Sequence, residues 1–158
     1  MKSWTKGVLS AGLLACGLVS AGGIALAADE PANIIKYRKA TMSAIGGHMG
    51  MLAAVAKGEV SFIDEVGGNA HAINEMSKNL ARLFPEGTSN QGNDTRALPV
   101  IWEKWSEFEG AVKTLQDESA KLVEVAKSGD AAAIGAQVGA LGKNACGGCH
   151  KKFREEKK

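Results

Sequence analysis

Aromatic side chains are scarce in this 158-residue chain: three Trp, one Tyr and four Phe make up 5% of it. A core with so few rings has to be built from Leu, Val, Ile and Ala. Cysteine is scarcer still, limited to Cys16, Cys146 and Cys149, and the first lies in a segment expected to be removed. Two thiols fall short of a closed structural zinc site, which takes four ligands at recognisable spacings. No stretch alternates apolar and polar residues as a strand would, no internal repeat is visible, and no long linker divides the chain.

Acidic residues are missing before Asp29. Lys2 and Lys6 stand ahead of a run of small and apolar residues from Gly7 to about Ala27, and Ala25-Leu26-Ala27 reads as an A-x-A cleavage site. Residues 1–27 are therefore expected to be a signal peptide and 28–158 an exported, periplasmic domain. Leu13-Leu14-Ala15-Cys16 loosely resembles a lipobox, but the apolar run continues past Cys16 and would leave a greasy stub on a lipidated chain. A retained membrane anchor is weaker again, because glycines and serines dilute the stretch. Cleavage leaves 131 residues, enough for one domain with one core. Losing Lys2 and Lys6 takes the basic count from 19 to 17, against 17 acidic residues. A neutral chain of this kind gives no reason to expect a nucleic-acid partner.

What is present is concentrated near the C-terminus. Cys146, Gly147, Gly148, Cys149 and His150 spell C-x-x-C-H. Two thiols at i and i+3 can add across the two vinyl groups of one haem, while the imidazole that follows reaches the iron as proximal ligand. A redox disulfide is the competing reading, yet it calls for a strand before the motif and a βαβ context that the sequence lacks. Lys151 to Lys158 adds five basic groups against two acidic ones beside the motif. A solvated helix end explains that charge; a rim that steers an acidic redox partner is the sharper alternative.

Periodicity predicts an all-α chain of four segments. The first runs from about Pro31 to Lys57, with Met42, Ile45, Met49 and Leu52 on one stripe. The second, about Ser61 to Leu83, turns Phe62, Val66, Ile73, Leu80 and Leu83 inward, and Gly67-Gly68 can delay its start. A polar, turn-rich stretch from Pro85 to Asp94 follows. The third, about Pro99 to Lys127, carries Trp105, Phe108, Val112, Leu115, Ser119, Leu122 and Ala126. Ser128-Gly129-Asp130 ends it and caps the fourth, about Ala131 to Glu156, with Ile134, Val138, Leu141 and Ala145 inward. Helices of this length, near 40 Å, joined by short connections pack as an antiparallel up-down-up-down four-helix bundle. On such a helix Cys146, Cys149 and His150 share one face, and Gly147 and Gly148 leave room for the porphyrin. His48 and His71 read as surface or hydrogen-bonded histidines, and Met49, Met51 and Met76 as core filler.

The chain resembles the class II cytochromes c, and among them cytochrome c′. The resemblance is carried by Tyr37-Arg38-Lys39, by Phe84-Pro85-Glu86-Gly87-Thr88, by Pro99 with Ile101-Trp102, and by Cys146 to Arg154. All five methionines lie before Cys146, which rules out the class I arrangement of a methionine ligand downstream of the motif. The resemblance implies one covalent haem c on Cys146 and Cys149, with His150 on the iron and Arg154 near the proximal side. It also implies Arg38 at a haem propionate, Lys39 and Asp94 near the propionates, and Met42 facing the iron opposite His150. Some class II members use a methionine there as sixth ligand; cytochromes c′ leave the site open and crowded. The Tyr37-Arg38 pair and the bulk of Ile45 favour the open site.

Three functional classes follow. The first is a periplasmic electron carrier working with redox partner proteins. The second is a module that binds NO or CO at the open site, and the two are compatible. The third, an enzyme, is set aside: a peroxidase needs acid and base groups over the iron, and the distal side offers a methionine and apolar residues instead. Relatives that pair through their first two helices imply a homodimer, with Ile34, Met51 and Ile63 as the spare apolar residues.

Overall fold

The structure, a computed structural model, describes residues 30–156. The expected signal peptide, its cleavage after Ala27 and the last two lysines lie outside the described residues. Helix α1, Pro31–Ala56, starts with proline at its first position, where the missing N–H costs nothing. It stops at Gly58, whose φ of 71° is open to glycine and strained for other residues. Helix α2, Val66–Lys78, is shorter than expected, because 3-10 turns over Ile63–Glu65 and Leu80–Leu83 replace its two ends. Gly67 and Gly68 lie inside its first turn and do not delay it. Phe62 precedes the helical phase and is 59% exposed, against the inward place expected for it.

The third segment also departs from expectation. It breaks at Lys104, whose φ of −127° and ψ of 46° are not helical, into α3, Val100–Glu103, and α4, Trp105–Ala126. The break resets the phase, so that Trp102 donates its indole N–H to the Phe84 carbonyl at 3.0 Å while Phe108 enters the core. Along α4 the stripe Phe108, Val112, Leu115, Ser119 and Leu122 is buried as the spacing requires.

The last helix begins where Asp130 accepts hydrogen bonds from the Ala132 and Ala133 amides at 2.8 and 3.2 Å, an N-cap that satisfies two otherwise free donors. It continues as α5, Ala131–Ala140, a widened π-helical stretch, Leu141–Gly147, and α6, Gly148–Phe153, without leaving helical backbone angles. It ends short of Glu156 because Arg154 is extended and bridges Ala97. Among the described residues this isolated bridge is the only β pairing, and the structure is all-α.

α2 packs on α1 and α4, and the last helix packs on the same two, so the four long helices close around one core. Leu52, Val66, Ile73, Ile101, Phe108, Leu122, Ile134 and Leu141 are fully enclosed. The few rings gather at one end: Phe108 meets Phe84 at 4.7 Å and Phe153 at 5.4 Å, both edge to face. Phe153 is three residues past His150, so this cluster fixes the end of the helix that carries the motif.

Candidate functional site

An open, apolar cleft of about 710 Å³, mouth included, lies between α1, α4 and the last helix. Met42, Ile45, Gly46 and Met49 line it from α1, and Ala111, Val112 and Leu115 line it from α4. Cys146, Cys149 and His150 line it from the opposite side, and among all the lining side chains His150 alone carries nitrogen or oxygen. The structure thus brings the three motif residues and Met42 to one cleft. The sequence pattern already turned Met42, Leu80, the motif and the α4 stripe inward, but not Ala111, which also reaches the cleft and which periodicity marks only as an ordinary helix residue.

The register of the two facing helices fixes which part of α1 stands over the motif. Gly135 approaches the Ala56 carbonyl and, seven residues on, Gly142 approaches Met49, seven residues back. Further along, Cys149 and Met42 line the same cleft from the two helices. Met49, two turns away, is level with Gly142 and packs against it.

The widened stretch is a response to spacing. Ile134, Val138, Leu141, Ala145, Cys149 and Phe153 advance by three consecutive fours at the end. In a regular helix of 3.6 residues per turn those steps would swing the last residues about 120° away. Underwinding over Leu141–Gly147 keeps Cys149 and Phe153 on the side of Leu141. Gly147 is part of that geometry: a Cβ there would meet the Gly142 carbonyl at 3.3 Å, whereas Gly148 faces open space.

Electrostatics separate the three donors from solvent chemistry. Burial pushes the Cys149 thiol up to about 11, helped by neighbouring Cys146 and opposed by Arg154, and burial also raises Cys146. Thiols held protonated do not suit a thiol oxidoreductase, whose nucleophile is a lowered thiolate. Burial lowers His150, and the charges of Arg154 and Arg96 push the same way, so the ring is neutral and free to ligate at neutral pH. Two soft thiols, a neutral imidazole and a carbon-lined cleft fit a covalently attached haem.

The remaining expected residues are spread more widely. Arg38 is buried and does not line the cleft. Its guanidinium donates to the Leu83 carbonyl, the Thr88 hydroxyl and carbonyl, and the Thr95 hydroxyl, at 2.7 to 3.0 Å, and lies 4.5 Å over the Phe84 ring. With no carboxylate nearby, burial brings it down to about 10, still charged at neutral pH. Lys39 and Asp94 pair with each other at 2.7 Å on the exterior, which holds the Asp94 carboxyl below its ordinary range. Arg154 is exposed, beside the motif. His48 bonds Asn69 at 2.8 Å and His71 faces Glu75, so neither addresses the cleft. Among the described residues no three His, Cys, Asp or Glu side chains gather as a metal set.

Comparison with known proteins agrees with this geometry. The family model described as Cytochrome C′ matches residues 33–154. Cytochrome c′ of Pararhodospirillum photometricum is 37% identical over 80% of this chain and 99% of its own length. Cytochrome c-556 of Agrobacterium tumefaciens is 34% identical over 80% of this chain and all of its own. The crystal structure of Rubrivivax gelatinosus cytochrome c′ superposes with a TM-score of 0.72 at 34% identity, covering 80% of this chain and 98% of that one. A nitric oxide complex of a variant cytochrome c prime from Alcaligenes xylosoxidans gives 0.71 at 27% identity, over 81% and 98%. A likeness that runs the length of the bundle, motif included, makes this chain a member of the cytochrome c′ family.

Proposed function

We propose that this protein is an exported cytochrome of the periplasm that carries single electrons and takes up NO or CO on the Met42 side of its haem. The family is one of haem electron-transfer proteins, and haem c, covalently attached, is its cofactor. When bound, the haem supplies a one-electron couple and a coordination position for a diatomic gas. In this reading Cys146 and Cys149 tether its edge, and His150, kept neutral, is the proximal ligand. Met42 and Ile45 crowd the opposite face with carbon and sulfur, so a ligand that needs a hydrogen-bond donor finds none.

The observation that carries the reading is the shared apolar cleft, lined by Met42 from α1 and by the motif from the last helix. The same observation supports a second reading, in which the Met42 thioether is the sixth iron ligand and the protein is an electron carrier alone. The Alcaligenes nitric oxide complex favours the open site. Mass spectrometry of protein matured with a haem-attachment system is expected to give the chain from Ala28 plus one haem. Absorption spectra then separate the readings. An open site gives a high-spin ferric protein whose ferrous form binds carbon monoxide, and Met42→Ala speeds that binding. A low-spin ferric protein that Met42→Ala makes high-spin establishes ligation instead.

We also read the protein as a homodimer. Tyr37 and Met51 on α1 and Phe62 just before α2 are 66, 50 and 59% exposed, while Ile34 and Ile63 are half-buried.

A further inference from the structure

We infer that the pocket between the 3-10 turn Leu80–Leu83 and the start of α4 is a second ligand site, shaped for a small zwitterion that carries an N-methylated ammonium and a carboxylate. The pocket holds about 700 Å³, mouth included, and Arg82, Phe84, Glu86, Trp102 and Trp105 line it. It shares no lining residue with the cleft at the motif, so the inference does not depend on what that cleft holds. In a chain with three Trp, two stand at this one pocket. Neither indole is loose. Trp102 spends its N–H on the Phe84 carbonyl, at 3.0 Å, and the Trp105 ring lies 5.4 Å from that of Phe108 in the core.

The charges at this pocket are unspent. Arg82 and Glu86 are opposite in sign and line the same space, yet among the described residues neither enters an ion pair. Among the same residues cations lie over Phe84 and Phe153, supplied by Arg38 and Lys152, but none lies over either indole. Indole is the ring that attracts a cation most strongly. Arg38 already covers Phe84, which leaves the two indoles to receive one. An N-methylated ammonium has no N–H to satisfy, so carbon walls cost it no hydrogen bond. Glu86 adds the matching charge, and the Arg82 fork fits a carboxylate bidentately. A molecule with both groups on one small apolar body uses all four side chains. A plain cation would leave Arg82 unused, and a plain anion would leave the indoles.

The test titrates the purified holoprotein by isothermal calorimetry with three probes. Glycine betaine has both groups, tert-butylacetate is its isostere with a neutral carbon in place of the ammonium nitrogen, and tetramethylammonium lacks the carboxylate. Betaine is expected to bind with a dissociation constant on the order of 1 mM, as a ligand this small in an open pocket allows. Each of the other two is expected to bind about tenfold more weakly. Arg82→Gln and Trp105→Leu are each expected to weaken betaine about tenfold and to leave the absorption spectrum unchanged, while Trp105→Phe keeps part of the affinity. No binding of betaine overturns the inference. So does tert-butylacetate or tetramethylammonium binding as tightly as betaine, since an apolar hole would not tell carbon from nitrogen and a bare cation site would not use Arg82. Should Trp105→Leu fail to fold, the exposed Arg82→Gln and the three probes on the wild type decide the matter, and betaine binding unchanged in Arg82→Gln overturns the inference.

Discussion

Arg38 shows how one residue binds a loop to the bundle. Its spacing, four residues before Met42, puts it on the same helix face, but its partners lie 45 to 57 residues away and become visible only in the fold. Desolvation of the guanidinium works against folding, and four acceptors with a ring beneath it offset that cost. The acceptors decide the sign of a mutation. Arg38→Met would take the guanidinium from two carbonyls and from two hydroxyls that keep one other bond each, and is expected to destabilise the protein by about 2 to 4 kcal/mol in urea unfolding. Arg38→Lys is expected to recover little of this, because one ammonium cannot span the fork. A loss below about 0.5 kcal/mol in Arg38→Met would mean that the loop is held by its other contacts.

At the scale of the element, the last helix is the one whose irregularity matters. A glycine in a helix interior usually gains about 1 kcal/mol on replacement by alanine. Gly147→Ala is expected to do the reverse and lower the melting temperature of the holoprotein, because the new methyl would press on the Gly142 carbonyl. A raised melting temperature would show the stretch relaxing to an ordinary α-helix. At the other end, Asp130→Ala removes the cap on the Ala132 and Ala133 amides and is expected to cost about 1 kcal/mol. That cap could be read from Ser128-Gly129-Asp130 alone. The widened turn also had a signal, three steps of four in succession, but its meaning depends on which neighbour the stripe must face.

For the whole molecule, the bundle leaves part of its apolar surface uncovered beside α1. Tyr37, Met51 and Phe62 are exposed, and a second copy related by a two-fold axis through the first two helices is proposed to cover them. Light scattering is expected to give twice the chain mass, and Met51→Lys with Phe62→Lys the single mass with an unchanged absorption spectrum. A wild type that stays at the single mass up to high micromolar concentration would defeat the pairing.

The four long segments, the caps and the haem-attachment motif were determined by the sequence alone, because periodicity, capping and C-x-x-C-H are local and survive without knowledge of neighbours. Tertiary structure decided the rest. It shortened α2 and split the third segment, where Trp102 needed the Phe84 carbonyl and Phe108 the core. It paired Lys39 with Asp94 and gave Arg38 to the loop. Above all it brought Met42 of α1 and the motif of the last helix to one cleft. Each of these depends on residues far apart in the chain, whose meeting follows from how the helices pack and not from any pattern within one of them.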